Sequence, residues 1–377
     1  MNVVDLAKEI GSDFFTGIPD SLLRPLCDYL MDMYGNNGKQ HIVAANEGNC
    51  TAVAAGYHMA TGKIPVVYLQ NSGEGNIINP VASLLNDKVY AIPCIFIVGW
   101  RGEPGIKDEP QHIYQGEVTI KLLEDMDIKS FVINKDTTVE EVRNVMGVYN
   151  NLLAKGKSVA FVVSKDALFY DKKISYTNKY TMTREQAIEC ITRISQNDPI
   201  VSTTGKASRE LFEIREATGE PHYYDFLTVG SMGHCSSIAL GIALHKAGTK
   251  VWCIDGDGAV LMHMGALGLL GENNQCNIVH IVINNGAHET VGGLPTAAAK
   301  IDLCEVAKAC RYPYAVRVDN VDDLEKELLN VKKRNGLCMV EIMCAIGARS
   351  DLGRPTISAV ENKRSFMEYL LSLESIS

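Results

Sequence analysis

Val251-Trp252-Cys253-Ile254-Asp255-Gly256-Asp257-Gly258-Ala259 is an apolar run that breaks into a glycine–acid–glycine turn. A second run, Ile278-Val279-His280-Ile281-Val282-Ile283, ends in Asn284-Asn285-Gly286-Ala287. Each reads as a buried β-strand that hands the chain to a loop at its carboxyl end. Gly256 and Gly258 let backbone approach a ligand closely and leave the following helix N-terminus open to an anion. Asp257 offers a hard carboxylate at that edge, Asn285 a neutral amide oxygen, and the loop at Ala287 a carbonyl. Three oxygens of this kind suit octahedral Mg²⁺, whose other ligands are phosphate oxygens and water. A lone glycine–acid–glycine turn is equally compatible with a tight turn; its combination with Asn284-Asn285 at this spacing, each motif closing an apolar strand, carries the metal reading. No G-x-G-x-x-G opens a helix after the first strand, which argues against a dinucleotide fold.

Working outward, the same alternation of short apolar runs and helical patterns fills the chain. Strands are expected near 13–16, 41–45, 64–69, 94–99, 130–133 and 159–163. A second series is expected near 200–203, 251–254, 278–284, 315–318 and 339–343. Helices are expected at 21–33, 48–60, 80–85 and 138–154, then at 184–195, 207–217, 236–245, 261–272, 302–310 and 321–333. Near-continuous apolar strands imply sheets covered on both faces. The stretch 165–183 lacks any period and reads as an ordered linker. The expected fold class is α/β, with two doubly wound parallel-sheet domains: residues 1–170, a linker 171–182, and residues 183–377. Ligands in such sheets bind beyond the carboxyl ends of the strands.

The 377 residues suit two domains, and 46% hydrophobic with 21% charged residues is ordinary for a globular protein. Thirty-six Lys and Arg against 45 Asp and Glu give a net charge of −9, which argues against nucleic-acid or acidic-membrane binding. The 11 cysteines are odd in number and form no C-x-x-C pair, so they read as reduced, mostly buried thiols. The N-terminus lacks a basic and apolar signal sequence, and the longest apolar stretch, 91–100, is half of what a bilayer requires. A cytoplasmic location is expected.

Further polar residues stand at strand ends. Glu47, in Val43-Ala44-Ala45-Asn46-Glu47-Gly48-Asn49, is the only acid between Asp32 and Glu74 and opens a helix. A helix-capping acid is the plain alternative. Gly230-Ser231-Met232-Gly233 precedes a small-residue helix, where Met232 is either a ligand wedge or a packed core side chain. Ser202-Thr203-Thr204-Gly205-Lys206 ends a strand and starts a helix, so Thr204 and Gly205 suit a diphosphate.

Together these motifs resemble the thiamine-diphosphate-dependent 2-oxo-acid decarboxylases: a pyrimidine-type half followed directly by a diphosphate-type half. The resemblance implies thiamine diphosphate with Mg²⁺ as cofactors. Glu47 would hydrogen-bond the pyrimidine ring nitrogen. Thr204, Gly205, Ser231, Met232, Gly256, Asp257, Gly258, Asn285 and Ala287 would hold the cofactor, with Asp257, Asn285 and Ala287 on the metal. The absence of a middle domain is similar to the short members that decarboxylate phosphonopyruvate or sulfopyruvate.

Three further segments extend that likeness: Thr16-Gly17-Ile18-Pro19-Asp20-Ser21-Leu22-Leu23, Gln70-Asn71-Ser72-Gly73-Glu74-Gly75-Asn76, and the loop 99–116 with its Trp100-Arg101-Gly102-Glu103 start. The expected substrate is 3-phosphonopyruvate, a small molecule with two anionic ends. On a protein of net −9 it needs a local cationic pocket, for which Arg101 and Lys107 are the nearest candidates; both are equally compatible with solvated loop cations. His112 suits proton transfer or a structural role. Asp20 and Ser21 fall where relatives keep polar active-site residues, although Asp20 also suits a helix cap. Gln70, Asn71, Gln111 and His288 are the remaining substrate-side candidates. The resemblance also implies an obligate homo-oligomer, at least a dimer, with each site between subunits. The alternatives are a sulfopyruvate decarboxylase or another short 2-oxo-acid decarboxylase, a carboligase using the same cofactor chemistry, and a non-catalytic thiamine-binding subunit.

Overall fold

The computed structural model describes residues 1–373. The chain divides into two compact units, Met1–Ser175 with Thr290–Leu294, and Tyr176–Glu289 with the chain from Pro295 onward.

In the first unit the strands are β1 (Phe15–Gly17), β2 (His41–Val43), β3 (Val66–Gln70), β4 (Ile95–Gly99), β5 (Lys129–Ile133) and β6 (Val159–Val163). The helices are α1 (Val3–Ile10), α2 (Arg24–Met33), α3 (Glu47–Thr61), α4 (Glu74–Pro80), α5 (Pro110–Asp125) and α6 (Val139–Leu153). The sheet order is β2-β1-β3-β4-β6-β5, with every neighbour parallel. Residues 95–98 of β4 and all of β6 are at most 1% exposed, as a strand covered on both faces must be.

In the second unit the strands are β7 (Ile200–Ser202), β8 (Asp225–Leu227), β9 (Val251–Gly256), β10 (Ile278–Asn284), the short β11 (Ala287–His288), β13 (Tyr314–Val318) and β14 (Cys338–Met343); of the two-residue β12 (Leu294–Pro295), Leu294 is grouped with the first unit and Pro295 with the second. The helices are α7 (Arg184–Ser195), α8 (Lys206–Thr218), α9 (Cys235–His245), α10 (Asp257–Met262), α11 (Gly265–Glu272), α12 (Leu303–Ala309), α13 (Val321–Lys333) and α14 (Ala359–Ser372). Read from its β8 edge, the parallel sheet runs β8-β7-β9-β10-β14-β13. The first six-stranded sheet has the same chain-order pattern: second strand, first, third, fourth, sixth, fifth. In each sheet the order reverses beside the first strand, so the crevices beyond β1/β3 and β7/β9 are topological switch points.

Several expectations are corrected. The segment 99–116, expected as loop, turns helical at Pro110, so Gln111 and His112 sit in the first turn of α5; proline at the first helical position lacks the N–H that this turn leaves unpaired anyway. The helix expected at 80–85 is α4, which starts six residues earlier and runs into a single π-helical turn, Val81–Leu85. The helix expected at 261–272 is two helices, broken at His263–Met264. Helices α1 and α14 and strand β8 were not expected. No helix among the described residues is long and apolar enough to cross a membrane. All 11 cysteines are free thiols, 10 of them buried.

Candidate active site

In the second unit, β9 delivers Asp257 to the first position of α10, where it is 4% exposed. Burial pushes its carboxyl up to about 6, against the opposing pull of the Thr296 hydroxyl and local backbone N–H groups. Thr296 Oγ1 donates to Asp257 Oδ2 at 2.6 Å, and its backbone N–H donates to the Gly286 carbonyl at 2.9 Å. One threonine thus ties the Asp257 turn to the loop after β10. Asn285 Oδ1 accepts from the Ala287 N–H at 3.0 Å, while its Nδ2 donates to Glu289 at 3.2 Å. Gly286 takes φ +68°, a turn that glycine enters without strain. α10 packs on β10 and on β11, bringing these oxygens to one sheet edge.

The loop is braced from behind by buried charge. Arg184 holds Glu210 through two bonds of 2.6 and 2.7 Å and Glu289 through a third of 2.7 Å. Lys206, the first residue of α8, also donates to Glu289. Burial alone would raise the Glu289 carboxyl, but Arg184 and Lys206 hold it below its ordinary value. Glu289 therefore stays ionised and fixes the amide end of Asn285.

Gly205 precedes α8 with φ +97° and no side-chain cap, so the helix N–H groups are left for an anion. Thr204 Oγ1 donates to the Val229 carbonyl at 2.9 Å, joining this turn to the Ser231 loop. Ser231 itself has φ +54°, rare for a residue with a side chain. Half-buried Met232 packs on Gly258: a Cβ there would stand 3.4 Å from its methyl carbon. Two histidines that the sequence reading did not single out complete the loop, with His234 and His263 rings 4.2 Å apart. Their separation in sequence hid them.

In the first unit, Asn46 caps α3 through the Gly48 N–H, which places Glu47 at the first helical position, 5% exposed. Asn76 Nδ2 donates to Glu47 Oε2 at 2.7 Å. Asp20 is 4% exposed; its Oδ2 accepts from the Leu22 and Leu23 N–H groups of the turn before α2, whose own N-cap is Leu23, and its Oδ1 accepts from Gln70 at 2.6 Å. Burial raises its carboxyl above the ordinary carboxylate range. Ser72 donates to the Gln70 Oε1 at 2.6 Å, so Asp20, Gln70 and Ser72 form one chain of bonds.

Asn71 is fully buried and its amide is spent on protein: it donates to the Arg101 carbonyl and Thr119, and accepts from the Arg101 N–H. That geometry makes it a brace for the 101 loop. Arg101 forms a two-bond ion pair with Asp108, which also accepts from the Gly102 N–H. Its remaining Nη1 lies 3.5 Å from the exposed Ser21 hydroxyl. Arg101, Ser21 and Lys107 line a cavity of about 440 Å³ that also receives Lys165 and Lys173; Asp20, Gln70, Asn71, Gln111 and His112 do not line it. Half-buried His112 is held below its ordinary pKa by burial and by Arg101, and burial pushes His288 down to about 4, so both imidazoles are neutral at pH 7.

The donor set of the second unit fits a hard cation and a diphosphate: oxygen ligands only, a buried carboxyl raised because no charge compensates it, and an open helix N-terminus beside it. Paired α/β units of one strand order, with a buried strand-end acid in one and an oxygen-lined turn in the other, define a two-domain, cofactor-binding α/β enzyme. The N-terminal TPP binding domain of thiamine pyrophosphate enzymes matches residues 2–140, and their C-terminal TPP binding domain matches residues 203–342. The chain belongs to the thiamine pyrophosphate enzymes.

Among its relatives, a phosphonopyruvate decarboxylase from Streptomyces viridochromogenes is 33% identical over 96% of this chain and 92% of its own. One from Streptomyces hygroscopicus is 31% identical over 96% and 91%. A sulfopyruvate decarboxylase from Methanosarcina acetivorans is 25% identical over 98% and 96%.

Proposed function

We propose that the chain decarboxylates 3-phosphonopyruvate to phosphonoacetaldehyde and CO₂ with thiamine diphosphate and Mg²⁺, as a step of phosphonate biosynthesis. The observation that carries this reading is the likeness to two phosphonopyruvate decarboxylases along 96% of the chain, at 33% and 31% identity. Retention of both a buried Glu47 and the Asp257–Asn285 turn supports a catalytic over a merely cofactor-binding chain.

When bound, thiamine diphosphate supplies the carbon nucleophile and the electron sink for loss of CO₂. The residues do the rest. Glu47 would hydrogen-bond the pyrimidine ring nitrogen and hold or accept a proton there. Asp257, Asn285 Oδ1 and the Ala287 carbonyl would hold Mg²⁺, which would anchor the diphosphate. The α8 N-terminus with Thr204 and Gly205 would take the diphosphate, and Ser231, Met232, Gly256 and Gly258 would line the rest of the cofactor. The phosphonate is held by Lys107 and by the Nη1 edge of Arg101; Asp108 already offsets much of the Arg101 charge, which makes exposed Lys107 the larger contributor. His112, neutral at pH 7, relays a proton through a water or a neighbouring acid rather than donating from an imidazolium. Asp20, Ser21, Gln70, Gln111 and His288 are the other polar groups assigned to the substrate side, with Asn71 acting through the Arg101 loop. The working form is a homo-oligomer, at least a dimer, in which Glu47 of one subunit serves the Asp257 turn of another.

The second reading, sulfopyruvate as substrate, is favoured by the relative of that name at 25% identity over 98% of the chain. Trapping the aldehyde product from each keto acid separates the two. Phosphonopyruvate is expected to turn over at least tenfold faster, about 1.4 kcal/mol of discrimination between a dianionic and a monoanionic end. Equal or faster turnover of sulfopyruvate would refute the assignment.

A further inference from the structure

Beyond the glutamate itself, the structure points to a three-residue clamp that sets where its carboxylate stands: we infer that Gly48, Gly73 and Asn76 are positioning residues for Glu47. The inference rests on the proposed role of Glu47. It arises from two close approaches that have no other evident purpose.

The first is at Gly73, the residue before α4. A Cβ built there would lie 2.4 Å from Glu47 Oε1, 2.5 Å from its Cγ and 2.6 Å from its Cδ. The carboxylate therefore occupies the volume that any other residue at 73 would fill. Gly73 has ordinary helical backbone angles, φ −83° and ψ −6°, so no torsional demand explains the glycine.

The second is at Gly48. A Cβ there would meet the Asn76 backbone oxygen at 3.2 Å and Asn46 Oδ1 at 3.0 Å. This glycine admits the first turn of α4 to the N-terminus of α3. The approach brings the Asn76 amide within 2.7 Å of Oε2. One carboxylate oxygen is thus held by a donor and the other lies against the Gly73 gap.

The chemistry favours such a clamp. A glutamate has three rotatable bonds, and at a helix N-terminus it has backbone N–H groups as competing partners. A hydrogen bond to a charged group, about 1.5–3 kcal/mol, is enough to select one placement. Oε2 is committed to Asn76, so Oε1 is the oxygen left to meet the cofactor. A displacement of ~1 Å at a reacting group can cost about 10²-fold in rate.

The sequence signature is Glu47-Gly48 together with Gly73-x-x-Asn76. The three atoms nearest to a methyl group added at Gly73 all belong to one rotatable side chain, that of Glu47. It should therefore leave folding nearly intact while moving the carboxylate, and this separates positioning from stability.

The test uses full-length Gly73→Ala, Asn76→Ala and, as reference, Glu47→Gln. Three readouts are needed: hydrogen–deuterium exchange at C2 of bound thiamine diphosphate, kcat and KM on phosphonopyruvate, and crystal structures of the cofactor-free variants. Exchange is expected to slow roughly 10²-fold in Gly73→Ala, and about tenfold or more in Asn76→Ala. In both, kcat should fall while KM stays within about twofold, with the Glu47 carboxylate displaced by about 1 Å or more in the crystals. Wild-type exchange in both variants, with Glu47→Gln still slow, would overturn the clamp and leave the proposed function standing. Wild-type exchange in Glu47→Gln would remove the role of Glu47 and the clamp together. A carboxylate unmoved in both variants' crystals would also overturn it.

Discussion

At the scale of single residues, Glu74 poses the sharpest physical question. It is fully buried, and neither carboxyl oxygen has a hydrogen-bond partner. Burial alone raises its pKa from 4.5 to about 8. At neutral pH the folded protein thus holds the proton and the unfolded chain does not. The sign follows from that difference: the contribution to stability is complete below about 4.5, declines as pH rises, and is gone once pH passes about 8. At ~1.4 kcal/mol for each pH unit between those values, the effect reaches several kcal/mol. Glu74→Leu should therefore raise the melting temperature, with a larger gain at pH 8.5 than at pH 5. An equal gain at both, measured by calorimetry, would mean that Glu74 finds a partner in the working assembly.

Elements carry the next set of consequences. The loop after β10 is tied down by paired charges, buried Arg184 with Glu210 and Glu289, and half-buried Lys206 with Glu289. Removing one member strands the others, which typically costs about 3–5 kcal/mol. Glu289→Ala is expected to unfold at correspondingly lower denaturant and to weaken Mg²⁺-dependent cofactor binding, because Asn285 loses its acceptor. Chemical denaturation and calorimetry read the two effects separately; loss of neither would show that the network is idle. Asp257→Ala should fold, since a raised buried carboxyl is removed, yet lose Mg²⁺-dependent thiamine diphosphate binding. Unchanged affinity would break the metal assignment.

Elements also show what the sequence made legible. β4, β6, β9 and β10 were readable because burial on both faces forces unbroken apolar runs, and the turns that end β9 and β10 were readable because each breaks such a run with glycine beside an oxygen-bearing side chain, Asp257 or Asn285. α5 was missed because Pro110-Gln111-His112 carries no apolar period, although proline at N1 was a signal. α14 was missed despite its capping box, Ser358 with Glu361, which sequence alone displays. Thr296, Asn76 and the Arg101–Asp108 pair could not be read at all. Each acts across dozens of residues or through a geometry that no local pattern encodes.

For the whole molecule, the telling feature is that two units built from different sequences share one strand order. Each switch point places polar groups at a crevice, but the acid stands in one unit and the oxygen-lined turn in the other. On the proposed reading the cofactor takes one group set from each unit, the two coming from different subunits. Alternation of strands and helices revealed two α/β halves; only the hydrogen-bonded register revealed that they repeat.

Subunit complementation tests this claim most directly. Glu47→Gln and Asp257→Ala chains, each inactive alone, are co-refolded in equal amounts and assayed for phosphonopyruvate decarboxylation. With sites shared between subunits, half of the dimers are mixed and each mixed dimer has one intact site, so roughly a quarter of wild-type activity should return. If the mixture forms dimers but stays inactive, acid and metal turn do not meet across subunits, and the account is contradicted.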